Sequence, residues 1–183
     1  MLIGITGRIA SGKGELAEYF NKKGFEYYTL SQVVREEAKK RNIEITRSNL
    51  QDLGNLIRRE EGAGGWIKRL VGKLDLNNNY TIDGIRNPGE VERLSEIKNF
   101  YLISVDAPEE IRFKRVLSRA KPSDPRNLEE FLKIDKRDFG ENDPLGQQVG
   151  KCMEMADFRL INDSTLENFY KKINDIYYRS IKC

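Results

Sequence analysis

Near the start of the chain stands Gly7-Arg8-Ile9-Ala10-Ser11-Gly12-Lys13, the densest concentration of residues able to do chemistry. Two glycines separated by four residues, with a lysine after the second, have the spacing of a phosphate-binding loop. Glycines let successive backbone N–H groups turn inward onto an anion. A helix beginning near Gly12 adds the partial positive charge of its N-terminus. Lys13 adds a mobile cation long enough to reach the β- and γ-phosphates of a nucleotide. A common form of this loop continues with Ser or Thr, whose hydroxyl binds Mg2+, whereas this chain continues with Gly14 and Glu15. Residues Gly7 through Glu15 are therefore expected to hold a nucleotide phosphate.

A second group of chemically suggestive residues lies downstream. Tyr80-Thr81-Ile82-Asp83 reads as a central strand ending in an acid, and Gly84-Ile85-Arg86 follows it. A carboxylate at the C-terminal end of a strand beside the loop is where the Mg2+ of a nucleotide needs an oxygen, directly or through water. Arg86 would lie over the same crevice. Arg35 sits one turn into a predicted helix, and Arg115, Arg119, Arg126 and Arg137 flank one predicted helix–loop–helix. That clustering suggests a cationic lid able to close over phosphates.

Composition narrows the field. The chain contains no histidine, which excludes histidine triads, histidine-ligated metals and histidine general bases. Phosphoryl transfer loses little by this, because it works by positioning, Mg2+ and cationic side chains. With 183 residues, 33% of them charged and 38% hydrophobic, the chain suits a single soluble domain. No apolar run approaches the ~20 residues that span a bilayer, and the start reads as a strand rather than a signal peptide. Two cysteines, Cys152 and Cys183, make neither a disulfide framework nor a metal cluster, so a cytoplasmic setting is expected. The net charge of +3 is too small, and its basic residues too mixed with acids, to argue for a nucleic-acid partner.

The elements that must position these groups can be read in order. Leu2–Thr6 is an apolar, β-branched strand, and Leu16, Ala17 and Phe20 mark the helix after the loop, stopped at Gly24. Phe25–Tyr28 reads as a second strand, and Ser31 as the N-cap of a helix running to about Arg41. Two amphipathic helices follow, one through Leu50, Leu53, Leu56 and Ile57 and one through Trp66, Ile67 and Leu70, joined by Gly62-Ala63-Gly64-Gly65. Residues 31–75 thus form a helical insertion whose glycine joint would let it move as a flap. Asn87-Pro88-Gly89-Glu90 opens a helix with a capping box, and Asp106–Glu109 is expected to cap another in the same manner. Phe100–Val105 is a strand buried on both faces. The helix after it carries Ile111, Val116 and Leu117, and a further helix carries Leu128, Phe131, Leu132 and Ile134. Between them, Lys121–Arg126 is a loop, and residues 139–150 form a glycine-rich, polar, mobile segment. Ala156–Ile161 is the last strand, and Ser164 with Glu167 caps the last helix. Strand–helix alternation throughout predicts an α/β fold with a parallel sheet of about five strands between helical layers.

Taken together, these residues resemble the P-loop kinases of small phosphorylated metabolites, namely adenylate-kinase-like nucleoside monophosphate kinases and dephospho-coenzyme A kinases. Adenylate kinases also read G-K-G, so Gly14 fits them, but they carry Thr where this chain has Glu15. Asp83-Gly84-Ile85-Arg86 is similar to a D-G-x-R segment whose acid serves Mg2+ and whose arginine holds the acceptor phosphate. Arg35 falls where an acceptor-binding arginine opens the monophosphate-binding helix. Arg115 and Arg119 match arginines entering the lid, and Arg137 one leaving it. Ala156-Asp157 through Asn162-Asp163-Ser164-Thr165-Leu166-Glu167 resembles the segment that lies beside the donor adenine in dephospho-coenzyme A kinases, which implies a donor-side role for Asn162. The same motifs are similar to those of archaeal-type adenylate-kinase-like P-loop proteins.

The resemblance implies a P-loop NTPase fold, with residues 31–75 as the acceptor-binding insertion and 115–140 as the lid. It further implies ATP and Mg2+ as cofactors, a small nucleotide-type substrate, and a monomer or homodimer with no membrane or nucleic-acid partner. The expected activity is transfer of the γ-phosphoryl group to a (deoxy)nucleoside monophosphate. Dephospho-coenzyme A stands as the alternative acceptor, for which Glu15 or Asp83 would be a base candidate. A nucleotide-binding switch with little catalysis stands as the alternative from another class.

Overall fold

An uninterrupted apolar run, Leu2–Gly7, forms the central strand β1, and all of its positions are buried. In this computed structural model, which describes residues 1–120, 124–140 and 143–181, the chain then alternates helices and strands. The phosphate-loop motif leads into α1 (Lys13–Lys22), followed by β2 (Glu26–Thr29) and the helices α2 (Leu30–Lys40), α3 (Arg47–Glu61) and α4 (Gly65–Val71). Next come β3 (Tyr80–Asp83), α5 (Pro88–Ser95), β4 (Phe100–Asp106) and α6 (Glu109–Arg119). The chain ends with α7 (Leu128–Phe139), α8 (Val149–Glu154), β5 (Phe158–Ile161) and α9 (Leu166–Ile176), which runs on as a π-helical turn over Tyr177–Ile181.

The five strands are ordered β2-β3-β1-β4-β5 and pair in parallel, as the alternation predicted. Because side chains alternate across a strand, β1 feeds two cores. Leu2 joins Tyr80, Ile82 and Leu102 under α2–α5 and α8, while Ile3 and Ile5 join Ile103, Val105 and Leu160 under α1 and α9. Both sheet faces are therefore covered. The register sets Ile5 opposite Asp83 and Thr29 opposite Asp83 on its other side, so the loop after β1 and the acid ending β3 emerge together at the carboxyl ends of the strands. Ligands of open parallel sheets bind at that edge. Among the described residues no helix is long and apolar enough to cross a membrane.

Several local expectations need correction. The N-cap of α2 is Thr29, whose hydroxyl accepts from the Gln32 N–H at 3.1 Å, rather than Ser31. The N-cap of α9 is Thr165, not Ser164. Asp106 does not cap α6: its Oδ1 accepts from the adjacent Ala107 N–H, and the N-cap is Pro108 with no side-chain bond. The buried positions of α6 are Arg112 and Val116, while Leu117 is exposed. On α7 the buried positions are Phe131 and Asp135, and Leu128 and Leu132 face solvent. Of the loop expected at Lys121–Arg126, residues 121–123 lie outside the described residues, as do 141 and 142 of the segment expected to be mobile. The rest of that segment is firmly bonded. Asn87 Nδ2 donates to the carbonyls of Pro144 (2.9 Å) and Gly146 (2.8 Å), and Gln148 is buried at the start of α8. In the glycine joint at 62–65, Ala63 packs against Gly89, where a Cβ would stand 2.3 Å from the Ala63 Cβ, while a Cβ at Gly62 would meet nothing within 4 Å.

Candidate phosphate-transfer site

The loop between β1 and α1 needs both of its motif glycines for reasons of space as well as conformation. Gly7 has φ +141°, and a Cβ there would stand 2.0 Å from the Val105 carbonyl oxygen. Gly12 has φ +112°, and a Cβ there would meet Asn162 Nδ2 at 2.2 Å. Ala10, at φ 58°, occupies the left-handed region, where a residue with a Cβ is uncommon. No side chain caps the N-terminus of α1, which leaves that end open to an anion.

Three side chains brace the loop from behind. Asn162, at the exit of β5, donates through Nδ2 to the Ser11 carbonyl at 2.9 Å. Arg115 donates through Nη1 to the same carbonyl at 3.2 Å and to that of Ala10 at 3.4 Å, and burial holds its pKa below the usual arginine value against the pull of Glu15. Arg112 is fully buried and donates through Nη1 to the Ile9 carbonyl at 3.5 Å and through Nε to the Ala107 carbonyl at 2.9 Å. Its guanidinium is paired with Asp135 of α7 by two hydrogen bonds of 2.7 and 3.1 Å. The other side of Asp135 is taken by Arg8 of the loop, whose Nε lies 3.5 Å from Oδ2 and whose guanidinium stacks 4.1 Å over the Phe139 ring.

On the open side of the loop the Lys13 ammonium donates to the carbonyls of Gly7 (2.9 Å) and Arg8 (2.7 Å). Burial pulls its pKa below the lysine norm; Asp83 and Asp138 oppose that pull, while Arg86 and Arg119 reinforce it. The structure thus brings Lys13, Asp83, Arg86 and Arg119 into one electrostatic neighbourhood and adds Asp138. Asp83 Oδ2 accepts from the Tyr27 phenol at 3.1 Å, while Oδ1 is buried without a hydrogen-bond partner. Burial, and then the Asp83 charge, push the Tyr27 pKa up. With the Gln147 amide turned so that its oxygen faces a donor and its nitrogen an acceptor, Arg86 Nη1 donates to that oxygen at 3.2 Å and the amide nitrogen donates to Asp138 Oδ1 at 2.8 Å.

The predicted side chains also have partners outside this group. Glu15 points at α9, where its Oε2 accepts from the Tyr170 hydroxyl at 2.8 Å; burial and that bond push the Tyr170 pKa to about 12. Gly14 is exposed, and a Cβ there would meet nothing within 4 Å. Arg119 forms a two-pronged pair with Asp124, at 2.7 and 2.8 Å. Arg35 and Arg137 are exposed, on α2 and α7. Beside α3 runs a groove of about 480 Å³ lined by Asn49, Asp52, Leu53, Asn55, Leu56 and Arg59, with Arg59 reaching Asp143 at 3.6 Å. Burial pushes the Cys152 thiol well above its usual range, which removes it as a nucleophile.

Sequence reasoning missed Tyr27, Arg112, Asp135, Asp138 and Gln147. Only Asp138 had a usable signal, as a carboxylate in the last turn of a helix predicted to leave a cationic lid. Asp83 Oδ1 is the feature that fits a metal: a buried carboxylate oxygen with no donor beside Lys13. Among the described residues no three acidic or cysteine side chains cluster as a metal cage, so an ion here would need phosphate oxygens as well.

A family model described as an AAA domain, AAA_18, matches residues 3–133. The chain is 36% identical over 178 residues to a UPF0200 protein of Sulfurisphaera tokodaii, covering 97% of this chain and 96% of that one. It is 32% identical over 183 residues to a UPF0200 protein of Pyrococcus horikoshii, covering 96% and 95%. Among solved structures, the shikimate kinase of Bacteroides thetaiotaomicron superposes with a TM-score of 0.60 at 10% identity, covering 97% of each chain. That of Aquifex aeolicus gives 0.55 at 19%, covering 95% of this chain and 94% of that one. At such identities the likeness carries the fold, that of a P-loop kinase, and not the substrate.

Proposed function

From a chain that belongs to the AAA_18 family of AAA domains and to the archaeal UPF0200 proteins, we propose an ATP-dependent phosphotransferase acting on a small nucleotide-type acceptor, in the first place a (deoxy)nucleoside monophosphate. The observation that carries this reading is the placement of the Lys13 loop and of Asp83, with Arg86 three residues on, at the same carboxyl edge of the sheet.

In this reading the backbone N–H groups of Gly7–Glu15 and the open end of α1 cradle the donor phosphates. Lys13 exchanges the Gly7 and Arg8 carbonyls for β- and γ-phosphate oxygens. Asn162, Arg115 and Arg112 keep the loop in shape from behind. Arg86, with Arg35 from the acceptor side, grips the acceptor phosphate, and Arg119 and Arg137 neutralise charge on the moving phosphoryl group. Mg2+ would supply positive charge to the donor phosphates, and Asp83 Oδ1 would be the oxygen to hold it, directly or through water. An acceptor phosphate oxygen bonds to the γ-phosphorus as the bond from that phosphorus to the β–γ bridging oxygen breaks, and ADP leaves with the electron pair. An ionised phosphate has no proton to give up, so a chain without histidine needs no base for this step.

A ribose hydroxyl, as in dephospho-coenzyme A, would have to lose a proton. Asp83 Oδ2 is already engaged by the Tyr27 hydroxyl, and the Glu15 carboxylate by that of Tyr170. Both observations favour a phosphate acceptor. The test is an ADP-release assay with Mg·ATP against each ribo- and deoxynucleoside monophosphate and dephospho-coenzyme A. Turnover on a monophosphate, abolished in a folded Lys13→Ala variant, is the expected result. Tight ATP binding with no turnover on any acceptor would point instead to a nucleotide-binding switch.

A further inference from the structure

Glu90, in the first turn of α5, is fully enclosed and receives donors from two directions. Its Oε1 accepts from Arg58 Nε at 3.1 Å and Nη2 at 2.9 Å. Its Oε2 accepts from the backbone N–H groups of Arg86 at 2.8 Å and Asn87 at 3.1 Å. Arg58 comes from α3, and its Nη1 donates to Asn55 Oδ1 at 3.2 Å, at the wall of the α3 groove. The Arg86 peptide is also held from its other side, where its carbonyl accepts from the Gln148 N–H at 2.7 Å. A capping box accounts for the Asn87 arm alone. Arg58 is not needed for it, and a buried ion pair is weak evidence of a purely stabilising role, because apolar pairs of similar volume often serve as well.

We propose that Arg58 and Glu90 are positioning residues that fix the backbone of Arg86, and with it the guanidinium that meets the acceptor phosphate. The inference rests on the reading of Arg86 as the holder of the acceptor phosphate. The support is continuous, from Asn55 through the Arg58 guanidinium and the Glu90 carboxylate to the Arg86 backbone. Glu90 has to be ionised to serve both ends, because each of its oxygens faces only donors. Glutamine cannot replace it. Whichever way the amide turns, its NH2 group faces either the Arg58 guanidinium or the two backbone N–H groups.

The experiment compares wild type with Glu90→Gln, Arg58→Lys and the apolar double variant R58M/E90M, which keeps volume without burying an unpaired charge. Calorimetric affinities are measured for adenylyl imidodiphosphate, a donor-side probe. They are also measured for dinucleoside pentaphosphates carrying adenosine at one end and each common nucleoside at the other, which span both sites. Backbone hydrogen exchange is followed at Arg86 and Asn87. Affinity for the donor probe should stay within about twofold in every variant. Affinity for the tightest pentaphosphate should fall tenfold or more in E90Q and R58M/E90M, roughly the effect of losing one charge-assisted bond, and R58K should recover most of it. Exchange at Arg86 and Asn87 should rise at least tenfold in E90Q while β1 amides are unchanged.

Unchanged pentaphosphate affinity and exchange in the two disrupting variants would overturn the proposal. So would equal losses for both probes, which would mean general loosening. A wild type that binds no pentaphosphate more tightly than the donor probe would overturn the acceptor-phosphate reading itself, and the positioning proposal with it. That outcome is distinct because it is seen before any substitution is made.

Discussion

Replacing Asp135 with asparagine tests how the loop is supported. The side chain keeps its shape and one acceptor oxygen but loses the charge that faces Arg112 and Arg8. Arg112 has a side chain only 1% exposed, so its guanidinium cannot turn to water, and its bonds to the Ala107 and Ile9 carbonyls compensate only in part. Breaking a buried pair by removing one partner costs about 3–5 kcal/mol. The lower end applies here, because Arg8 is 27% exposed and its half of the cluster is screened. Asp135→Asn should therefore lower the unfolding free energy by about 3 kcal/mol and, for a chain of this size, the melting temperature by about 6–12 °C. Urea unfolding followed by circular dichroism gives the first quantity, with the slope against urea unchanged. Arg8→Gln, which removes only the exposed arm, should cost about 1 kcal/mol or less. The apolar double variant R112M/D135L should regain most of the loss. If D135N cost under about 1 kcal/mol, or R8Q cost as much as D135N, Asp135 would not be the support described.

Two further outcomes follow from the same geometry. In Tyr27→Phe the affinity of the ADP complex for Mg2+ should weaken about threefold, the effect of one partly exposed hydrogen bond, with ADP affinity in chelator unchanged; an equal loss in chelator would detach Tyr27 from Asp83. Around α2–α4, Arg41 and then Arg69 hold Glu37 below the usual carboxylate pKa, and Arg69 holds Glu61 there, so their stabilisation is complete above about pH 4.5 and fades as acid protonates them. The stability gap between wild type and Arg69→Met in urea should thus be constant from pH 7 to 5 and shrink towards pH 3.5. A gap independent of pH would remove the carboxylates as its source.

The fold was legible because its signals are local. The β-branched run at Leu2–Thr6, the glycine–lysine spacing and the Asn87-Pro88-Gly89-Glu90 cap each fall within a few residues, and each forms as read. Caps at Thr29 and Thr165 were missed because neighbouring hydroxyls, Ser31 and Ser164, compete for the same role and the preceding strand decides between them. The helix α8 was hidden by its shortness and by the glycines around it. The inner site was harder to read. Arg112 and Asp135 occupy positions where helical periodicity asks for apolar residues, and only folding shows that they lie there as a pair. Tyr27 and Asp83 meet through strand pairing, and Arg58 and Glu90 through packing of α3 on α5. No spacing rule reports such contacts. The Glu15 side chain, whose direction the motif left open, meets a residue far along the chain, Tyr170.

The central claim is transfer of the donor's terminal phosphoryl group to an acceptor phosphate. Its most direct test is to incubate the protein and Mg2+ with ATP labelled with 32P at the γ-position and the nucleoside monophosphate that releases ADP fastest, and to separate the products. The account predicts label in the β-phosphate of a new nucleoside diphosphate, formed in step with ADP and absent with Lys13→Ala. Label found only in inorganic phosphate, or label left in bound ATP at all times, would contradict it.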